Sequence, residues 1–319
     1  MSMAGTSFSQ PTTAQSEGVG TRLSDTLWRR PALLLILLLL PPVLWLGIIY
    51  LGSLFALLLQ SFFSIDHFSG VIRYEFTLAT YAELFTPANF DIILRTITMA
   101  ICATLASATI AFPIAYYAAR FAKGRWRAVF YLGIMMPLWS SYLVKIYAWK
   151  LILAKEGILT WALEGLRLNW LLDAYLALPV VGGNSLSVST TGTFIVFVYV
   201  WMPFMILPIQ AALERVPTSM LEASGDLGAR PGQTFRYVLF PLALPGIVAG
   251  SIFTFSLTLG DYIIPQIIGT SRLFIGQAVY QHQGIAGNIP LAAAFAVVPI
   301  VIMALYLWGA KRMGAFDAL

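Results

Sequence analysis

Charged residues are scarce in this sequence. Asp, Glu, Lys and Arg make up 10% of its 319 residues, whereas 59% of the residues are hydrophobic. A soluble domain usually carries about a quarter charged residues, so most of the surface of this chain must face something other than water. The formal net charge of +5 therefore reports orientation in a membrane, and we expect no nucleic-acid partner.

Cysteine and histidine are almost absent, which excludes several kinds of site. Cys102 is the single cysteine and lies in an apolar run, so no intramolecular disulfide or cysteine-rich metal site is possible. His67 and His282 are too few for a histidine metal cluster. No H-E-x-x-H or G-x-S-x-G motif occurs, and no G-x-x-x-x-G-K-[ST] that would bind ATP. We expect no catalytic residue, no cofactor and no metal.

Six apolar segments are long enough to cross a bilayer, which takes about 20 predominantly apolar residues each. The first follows Arg29 and Arg30 like a signal peptide, but it far exceeds the roughly 7–15 apolar residues of a signal core. We expect it to be retained, and residues 1–30 to form a mobile cytoplasmic tail. Residues 31–319 are thus predicted to form an all-α polytopic bundle of six transmembrane helices, at about 32–59, 92–120, 128–153, 192–213, 242–267 and 289–310.

Basic residues predict the orientation of these spans. With the N-terminus inside, the inner segments hold 12 of the 19 Lys and Arg residues, around residues 22–30, 120–127, 215–236 and 311–312. The outer loops, around 61–91, 155–191 and 268–288, hold only Arg73, Lys155, Arg167 and Arg272. Both termini are therefore expected in the cytoplasm, with the remaining surface of the spans facing lipid.

Prolines, hydroxyl residues and aromatic residues interrupt the predicted spans. Each proline removes a backbone donor and kinks its helix unless neighbours bond the freed carbonyl. Ser and Thr also fill ordinary helix interfaces in membranes, but together these features indicate a moving, solute-handling bundle. Gly246 and Gly250 form a G-x-x-x-G pattern, which is weak evidence for close helix approach.

The segment between the fourth and fifth spans, residues 214–241, is the most informative part of the sequence. At about 28 residues it is too long for a simple connector. Ser219 and Glu222 predict a capping box at a helix start, and Gly228 predicts a left-handed stop. A second short helix is expected from Thr234 to Phe240, entering the membrane at Pro241. A helix-turn-helix of this kind suits docking to a partner on the cytoplasmic surface.

The letters E-A-S at 222–224, G at 228 and V-L-F-P at 238–241 resemble the EAA motif of binding-protein-dependent ABC importer permeases, the MetI-like family. The family pattern is E-A-A, three residues, Gly, nine residues, Ile, any residue, Leu-Pro, and the spacing here matches it in full. The conservative departures are Ser224, Val238 and Phe240. The resemblance implies a coupling helix that fits a groove on a cytoplasmic ATPase, with the coupling residues Glu222, Ala223, Ser224, Gly228 and Pro241.

The resemblance extends over roughly residues 30–319 and is greatest to the spermidine/putrescine permeases of this family. It is carried by segments such as 135–153, 199–217, 226–266 and 311–319. It implies import of a polyamine from periplasm to cytoplasm across the inner membrane. It also implies three kinds of partner: a cytoplasmic ABC ATPase dimer, a second homologous permease subunit and a periplasmic solute-binding protein.

Asp261 is an ionisable residue in the outer half of the fifth predicted span, where charge is unfavourable. Gly260 and Pro265 flank it and predict a broken helix. Two interpretations stay open. Asp261 either lies in the translocation path, where it favours ammonium groups, or pairs with Lys145. Spermidine/putrescine permeases carry an acid at the matching position, which favours the path, and the path residues are then Asp261, Tyr262 and Trp139.

Two alternatives to a polyamine permease remain. Related permeases import iron, sulfate, thiamine or phosphonate, so the solute is open. A proton-coupled secondary transporter would also use broken helices in the membrane and would rely on Asp261. It would leave the capped helix of residues 214–241 unexplained, and copurification of an ATPase distinguishes the two.

Overall fold

The computed structural model describes residues 31–66, 69–178, 181 and 183–312. The chain divides into two units, the first ending at Leu57 and the second running from Leu58 to Leu319. The predicted tail, residues 1–30, lies outside the described residues. Within the described parts the protein is mostly helical, as the sequence predicted.

The described residues of the first unit belong to a long apolar helix with a change of winding in the middle. Helix α1 covers Pro31–Leu44, a π-helical segment covers Trp45–Leu51, and α2 covers Gly52–Gln60. Pro41 and Pro42 each lack a backbone N–H, and the wider π turns begin soon after them. The run is long and apolar enough to cross a membrane, in agreement with the predicted span 32–59.

A small antiparallel hairpin follows this helix and was not predicted. Strand β1 (Ser64–Ile65) pairs with β2 (Ile72–Arg73), with Ser64 opposite Arg73. Asp66 forms an ion pair with Arg73, and Gly70 closes the turn at a φ of 68°. A short helix, α3 (Ala79–Leu84), leads to the next span.

Two long helices form the centre of the second unit. They are α4 (Pro87–Arg120) and α9 (Thr190–Arg215). Helix α9 is the most buried of the candidate spans, and its side chains Phe197, Met205 and Ile209 are fully buried. The other helices, besides those described below, are α7 (Ile158–Gly165), α8 (Asn169–Leu176), α14 (Ile275–Gly284) and α15 (Ile289–Arg312).

The fifth predicted span begins earlier than the sequence indicated. Helix α11 (Pro231–Thr234), a π-helical segment (Phe235–Leu239) and α12 (Phe240–Gly260) form one continuous run. A Cβ at Gly246 would lie 2.5 Å from the carbonyl oxygen of Pro208, and one at Gly250 would lie 2.8 Å from the sulfur of Met205. The close approach indicated by the G-x-x-x-G pattern is therefore confirmed, and its partner is α9.

The third predicted span, 128–153, is not one straight helix. It consists of α5 (Gly124–Trp139) and α6 (Tyr142–Ile152), which meet at an angle of 97°. Pro137 lacks a backbone N–H donor. Ser140 and Ser141 lie between the two helices, and the backbone of Ser140 is extended. The described residues thus contain five helices long and apolar enough to cross a membrane, or six if the bent pair counts as one span.

Hydrogen bonds assign the connecting segments of the second unit to two ends of the bundle. At one end, Arg120 Nη2 donates to the carbonyl of Val216 over 2.8 Å. At the other, the N–H of Ser187 donates to the carbonyl of Leu153 over 3.0 Å, and Gly269 N–H donates to the carbonyl of Ser187 over 3.1 Å. Residues 120–127 and 214–216 therefore lie together, and 153, 187 and 269 lie together at the opposite end of α9.

Candidate functional site

The segment 214–241 begins with a short helix outside the central bundle. Helix α10 covers Thr218–Asp226 and follows directly on the end of α9. Pro217 is the N-cap residue and no side chain caps the helix. The predicted capping box of Ser219 and Glu222 is therefore wrong. Helix α10 starts one residue before Ser219, because Pro217 favours an extended conformation at the cap and cannot extend α9.

Gly228 ends this helix in the predicted left-handed conformation. Its φ is 77°, and a Cβ built on it would meet nothing within 4 Å. The N–H of Ala229 donates back to the carbonyl of Ser224 over 3.1 Å, which closes the helix end. Positive φ alone, without crowding, therefore favours glycine at this position.

The predicted coupling residues divide between an outer and an inner face of α10. Glu222 and Ala223 are exposed, whereas Ser224 is buried. The hydroxyls of Ser224 and Thr234 are hydrogen-bonded over 2.8 Å, which joins α10 to α11. Leu227 was missed by the sequence reading, although it is 88% exposed and is the most exposed large hydrophobic side chain among the described residues. Leu227 is the C-cap residue of the helix that carries Glu222.

The second helix of this segment differs from its prediction. It starts at Pro231, where the side chain of Gln233 accepts a hydrogen bond from the backbone N–H of Arg230 over 2.7 Å. It then continues through Pro241 into the fifth span instead of ending there. The π-helical turns at Phe235–Leu239 precede Pro241, whose missing donor would otherwise break regular α-helical hydrogen bonding.

A second candidate site lies where two broken spans meet. Helix α12 ends at Gly260 and α13 covers Ile263–Ile267, so the predicted break at Asp261 is present. Asp261 is buried, and its Oδ1 accepts hydrogen bonds from the N–H groups of Ile263 (2.7 Å) and Ile264 (3.0 Å). Its Oδ2 accepts a hydrogen bond from the hydroxyl of Tyr142, the first residue of α6.

Lys145 is not the partner of this carboxylate. Its Nζ donates to the carbonyl of Pro137 over 2.7 Å, so it bonds across the bend of its own broken span. Pro137 lies in the last turn of α5, where carbonyl groups lack helical partners. Among the described residues, neither Lys145 nor any other basic side chain forms an ion pair with Asp261. The hydroxyl of Tyr142 and two backbone N–H groups donate to its carboxylate instead.

The two aromatic residues predicted for the path lie near these breaks. Trp139 ends α5 and is 76% exposed. Tyr262 follows Asp261 and stacks on Tyr280 of α14, with ring centroids 5.4 Å apart. Tyr280 and Tyr142 were missed by sequence reasoning, because nothing in their spacing distinguishes them from other aromatic residues of the spans. No group of three or more His, Cys, Asp or Glu side chains within the described ranges is placed to hold a metal ion.

A family model matches residues 111–314, which cover α9, the 214–241 segment and the broken spans. The family is described as "Binding-protein-dependent transport system inner membrane component". This match includes every coupling residue and every path residue discussed above.

Two curated relatives and one solved structure show how far the similarity reaches. The inner membrane ABC transporter permease protein YdcU of Escherichia coli (strain K12) is 59% identical over 302 residues, or 95% of this chain and 96% of the relative. The spermidine/putrescine transport system permease protein PotB of Salmonella typhimurium (strain SL1344) is 28% identical over 250 residues, 77% of this chain and 83% of PotB. A crystal structure of a bacterial alginate ABC transporter, in complex with alginate pentasaccharide-bound periplasmic protein, matches with a TM-score of 0.69 at 14% identity, and covers 93% of this chain and 98% of that one.

Proposed function

The chain belongs to the family of binding-protein-dependent transport system inner membrane components, and from this premise we propose that it imports polyamines such as spermidine and putrescine. It is a multi-pass inner-membrane protein and a permease subunit of an ABC importer. A permease of this kind is a transport subunit and not an enzyme. The observation that supports coupling to an ATPase is the 214–241 segment, with its exposed helix α10 and its left-handed Gly228.

The ATPase is proposed to dock on the outer face of α10. Glu222 supplies a carboxylate, and Leu227 supplies an apolar side chain at the C-cap of the same short helix. The hydrogen bond between Ser224 and Thr234 holds this helix to the start of the fifth span, so a push on α10 would reach the bundle. A cytoplasmic ATPase dimer, a second homologous permease and a periplasmic solute-binding protein complete the proposed importer.

A polyamine is the proposed solute for two reasons. The PotB relative, which is 28% identical, is a spermidine/putrescine permease by name. Asp261 also places a carboxylate at the break of the fifth span, and Tyr262 and Trp139 expose aromatic faces near the two breaks, where an ammonium group is attracted to ring electrons. The fold does not select the solute, because a similar fold occurs in a bacterial ABC transporter involved in the import of the acidic polysaccharide alginate.

Substitution of Gly228 tests the coupling role. Gly228→Val forces a β-branched residue into positive φ, which costs roughly 1–2 kcal/mol. This cost lowers the population of the native loop conformation about 5–30-fold. We expect the variant to insert normally while copurification of the ATPase and uptake both fall. Gly225→Ala is the matched control, because Gly225 lies in the same helix with ordinary φ and an added Cβ meets nothing within 4 Å. Wild-type uptake in Gly228→Val, or absence of any ATPase on the wild-type chain, would remove the assignment.

Uptake measurements test the solute. Cells that carry the chain with its ATPase and binding protein should accumulate radiolabelled putrescine or spermidine, and an excess of the unlabelled polyamine should abolish the signal. A Walker-motif variant of the ATPase serves as the control. If polyamine uptake does not depend on the chain while the ATPase still copurifies, the polyamine is rejected and the permease function stands.

A further inference from the structure

We propose that Glu214 is a positioning residue that fastens the segment 214–241 to the first arm of the broken third span, so that α5 moves together with α10 during transport. This inference rests on the proposed function, since it concerns how a push on α10 spreads into the bundle. The motif residues of the segment lie between 222 and 241, and Glu214 lies outside them.

The carboxylate of Glu214 collects three donors from two helices. Its Oε1 accepts from Arg127 Nη2 over 2.9 Å and from the hydroxyl of Tyr131 over 2.6 Å. Gln210, one turn earlier on α9, donates to the same oxygen over 3.2 Å. Arg127 and Tyr131 lie one turn apart near the start of α5. The cluster thus joins the end of α9 to the start of α5.

A fourth contact fixes the neighbouring backbone. Arg120, the last residue of α4, donates to the carbonyl of Val216 over 2.8 Å. Val216 precedes Pro217, the cap of α10. The two residues that connect α9 to α10 are Val216 and Pro217. The connection is therefore anchored to α5 at Glu214, just before it, and to α4 at Val216, so α10 leaves the bundle from a fixed base.

Helix α5 depends on this anchor because it packs loosely elsewhere. Ile134 is its single buried residue among those described. An open apolar cavity of about 380 Å³ lies between α5, α9 and α4, with lining residues that include Phe130, Ile134 and Ile206. Few van der Waals contacts hold a helix across a cavity. The polar cluster at its start therefore adds to a small apolar contact, in which Ile134 shares one buried cluster with Ile206 and the Phe130 ring lies 5.0 Å from that of Tyr117.

The cluster also retains unused hydrogen-bonding groups. Gln210 Oε1 and Arg120 Nε are buried and have no partner among the described residues. Buried polar groups are normally satisfied, and an exception calls for an explanation. If the hydrogen bonds between these helices change between two conformations, a donor or acceptor that is bonded in one conformation lacks a partner in the other. The geometry points to a contact between α5 and the end of α9 that exchanges hydrogen-bond partners while the two helices stay together.

The test compares transport efficiency in variants of the cluster. Tyr131→Phe removes one hydroxyl, Arg127→Gln removes the cation, and Glu214→Gln removes the charge. Each is assembled with its ATPase and binding protein in proteoliposomes, and ATP hydrolysis and uptake are measured together. We expect the ATPase to bind and hydrolyse normally, while ATP consumed per solute imported rises at least threefold. Matched controls are Arg125→Gln, an exposed arginine on the same helix, and Tyr147→Phe on α6.

A distance measurement separates this inference from the proposed function. In a Cys102→Ser complex, spin labels at Trp126 on α5 and Thr218 on α10 report whether the two helices move together. We expect one narrow distance distribution with and without nucleotide, and a broad one in Arg127→Gln and Tyr131→Phe. Wild-type widths and wild-type ATP consumption in both variants would overturn the proposal, as would loss of ATPase binding in them, since Glu214 would then belong to the docking surface. If no ATPase binds the wild-type chain, the proposed function fails. The label distances in the chain alone still show whether α5 and α10 move together.

Discussion

At the scale of single residues, Asp261 shows how a carboxylate is accommodated in a membrane-spanning region. The charge of a buried carboxylate is tolerable when hydrogen bonds replace its lost hydration. Two backbone donors from the start of α13 and the hydroxyl of Tyr142 supply these bonds. Asp261 therefore caps a helix after a break and joins the break of one span to the bend of another, and any contact with a solute would have to compete with Tyr142.

Removal of the Tyr142 hydroxyl tests this account. Tyr142→Phe keeps the ring that stacks on Trp201 at 5.8 Å and loses a hydrogen bond to a charged group, worth about 1.5–3 kcal/mol. We expect a lower melting temperature for the purified Tyr142→Phe chain. The double variant Tyr142→Phe with Asp261→Ala should melt no lower than Asp261→Ala alone. Tyr147→Phe, on an exposed position of the same helix, should melt like the wild type.

Two outcomes would contradict the Tyr142 contact. Additive losses in the double variant would mean that the two side chains do not interact. A larger loss in Lys145→Met than in Tyr142→Phe would restore the ion-pair interpretation of Asp261. A normal melting temperature in Asp261→Asn together with lost cation uptake would instead support the path, because asparagine retains the oxygen that caps α13.

The sequence predicted some of these residue roles and not others, for physical reasons. Gly228 was predictable, because a left-handed helix end strongly favours glycine. The cap at Ser219 failed because a serine three residues before a glutamate indicates a helix start only when no stronger signal is adjacent, and Pro217 provides one. Tyr142, which donates to Asp261, lies 119 residues away along the chain, and Tyr131, which donates to Glu214, lies 83 residues away. No local pattern of one sequence reports such contacts.

At the scale of helices, the lengths of apolar runs predicted the elements well, and their bends poorly. Helix α15 (Ile289–Arg312) almost coincides with its predicted span, 289–310. Prolines such as Pro137 were expected to kink the spans, but a bend as large as 97° between α5 and α6 was not predicted. Prolines also occur inside an uninterrupted helix such as α9, which contains Pro203 and Pro208, so their presence alone does not predict where a span breaks.

The packing of α12 against α9 makes a prediction at this scale. A methyl group at Gly246 would lie 2.5 Å from a backbone oxygen of Pro208, and backbone cannot move aside cheaply. We expect Gly246→Ala to lower the melting temperature and reduce assembly. Gly309→Ala places a methyl group in a helix where nothing lies within 4 Å of it. This change should raise the melting temperature, because alanine is favoured over glycine in helices by up to about 1 kcal/mol. Equal effects of the two changes would show that α9 and α12 are not in close contact.

At the scale of the whole molecule, the bent pair decides the topology. Arg127 and Tyr131, near the start of α5, contact Glu214 at the end of α9. Leu153, directly after α6, contacts Ser187 just before α9 begins. The pair therefore extends from one end of α9 to the other, a helix of 26 residues that is about 39 Å long at 1.5 Å per residue. This geometry favours one bent span over a re-entrant loop.

The count of spans matters because it places the segment 214–241. With the N-terminus inside and six crossings, that segment and 12 of the 19 basic residues lie in the cytoplasm. With five crossings, the segment would face outward and no cytoplasmic ATPase would reach α10. The contacts along α9 favour six crossings, and the basic residues then predict that the segment faces the cytoplasm.

Cysteine labelling tests this orientation directly in a Cys102→Ser background. Single cysteines at Ser69, Lys155 and Ser271, all exposed, should react with an impermeant thiol reagent in intact cells. A cysteine at Ser219 should react only after the membrane is opened. Lys155 is the decisive position, because it follows the bent pair: if it is protected while Ser69 is labelled, the pair is a re-entrant loop. Labelling of Ser219 from outside would then be expected as well, and the proposed docking of an ATPase on α10 would be excluded.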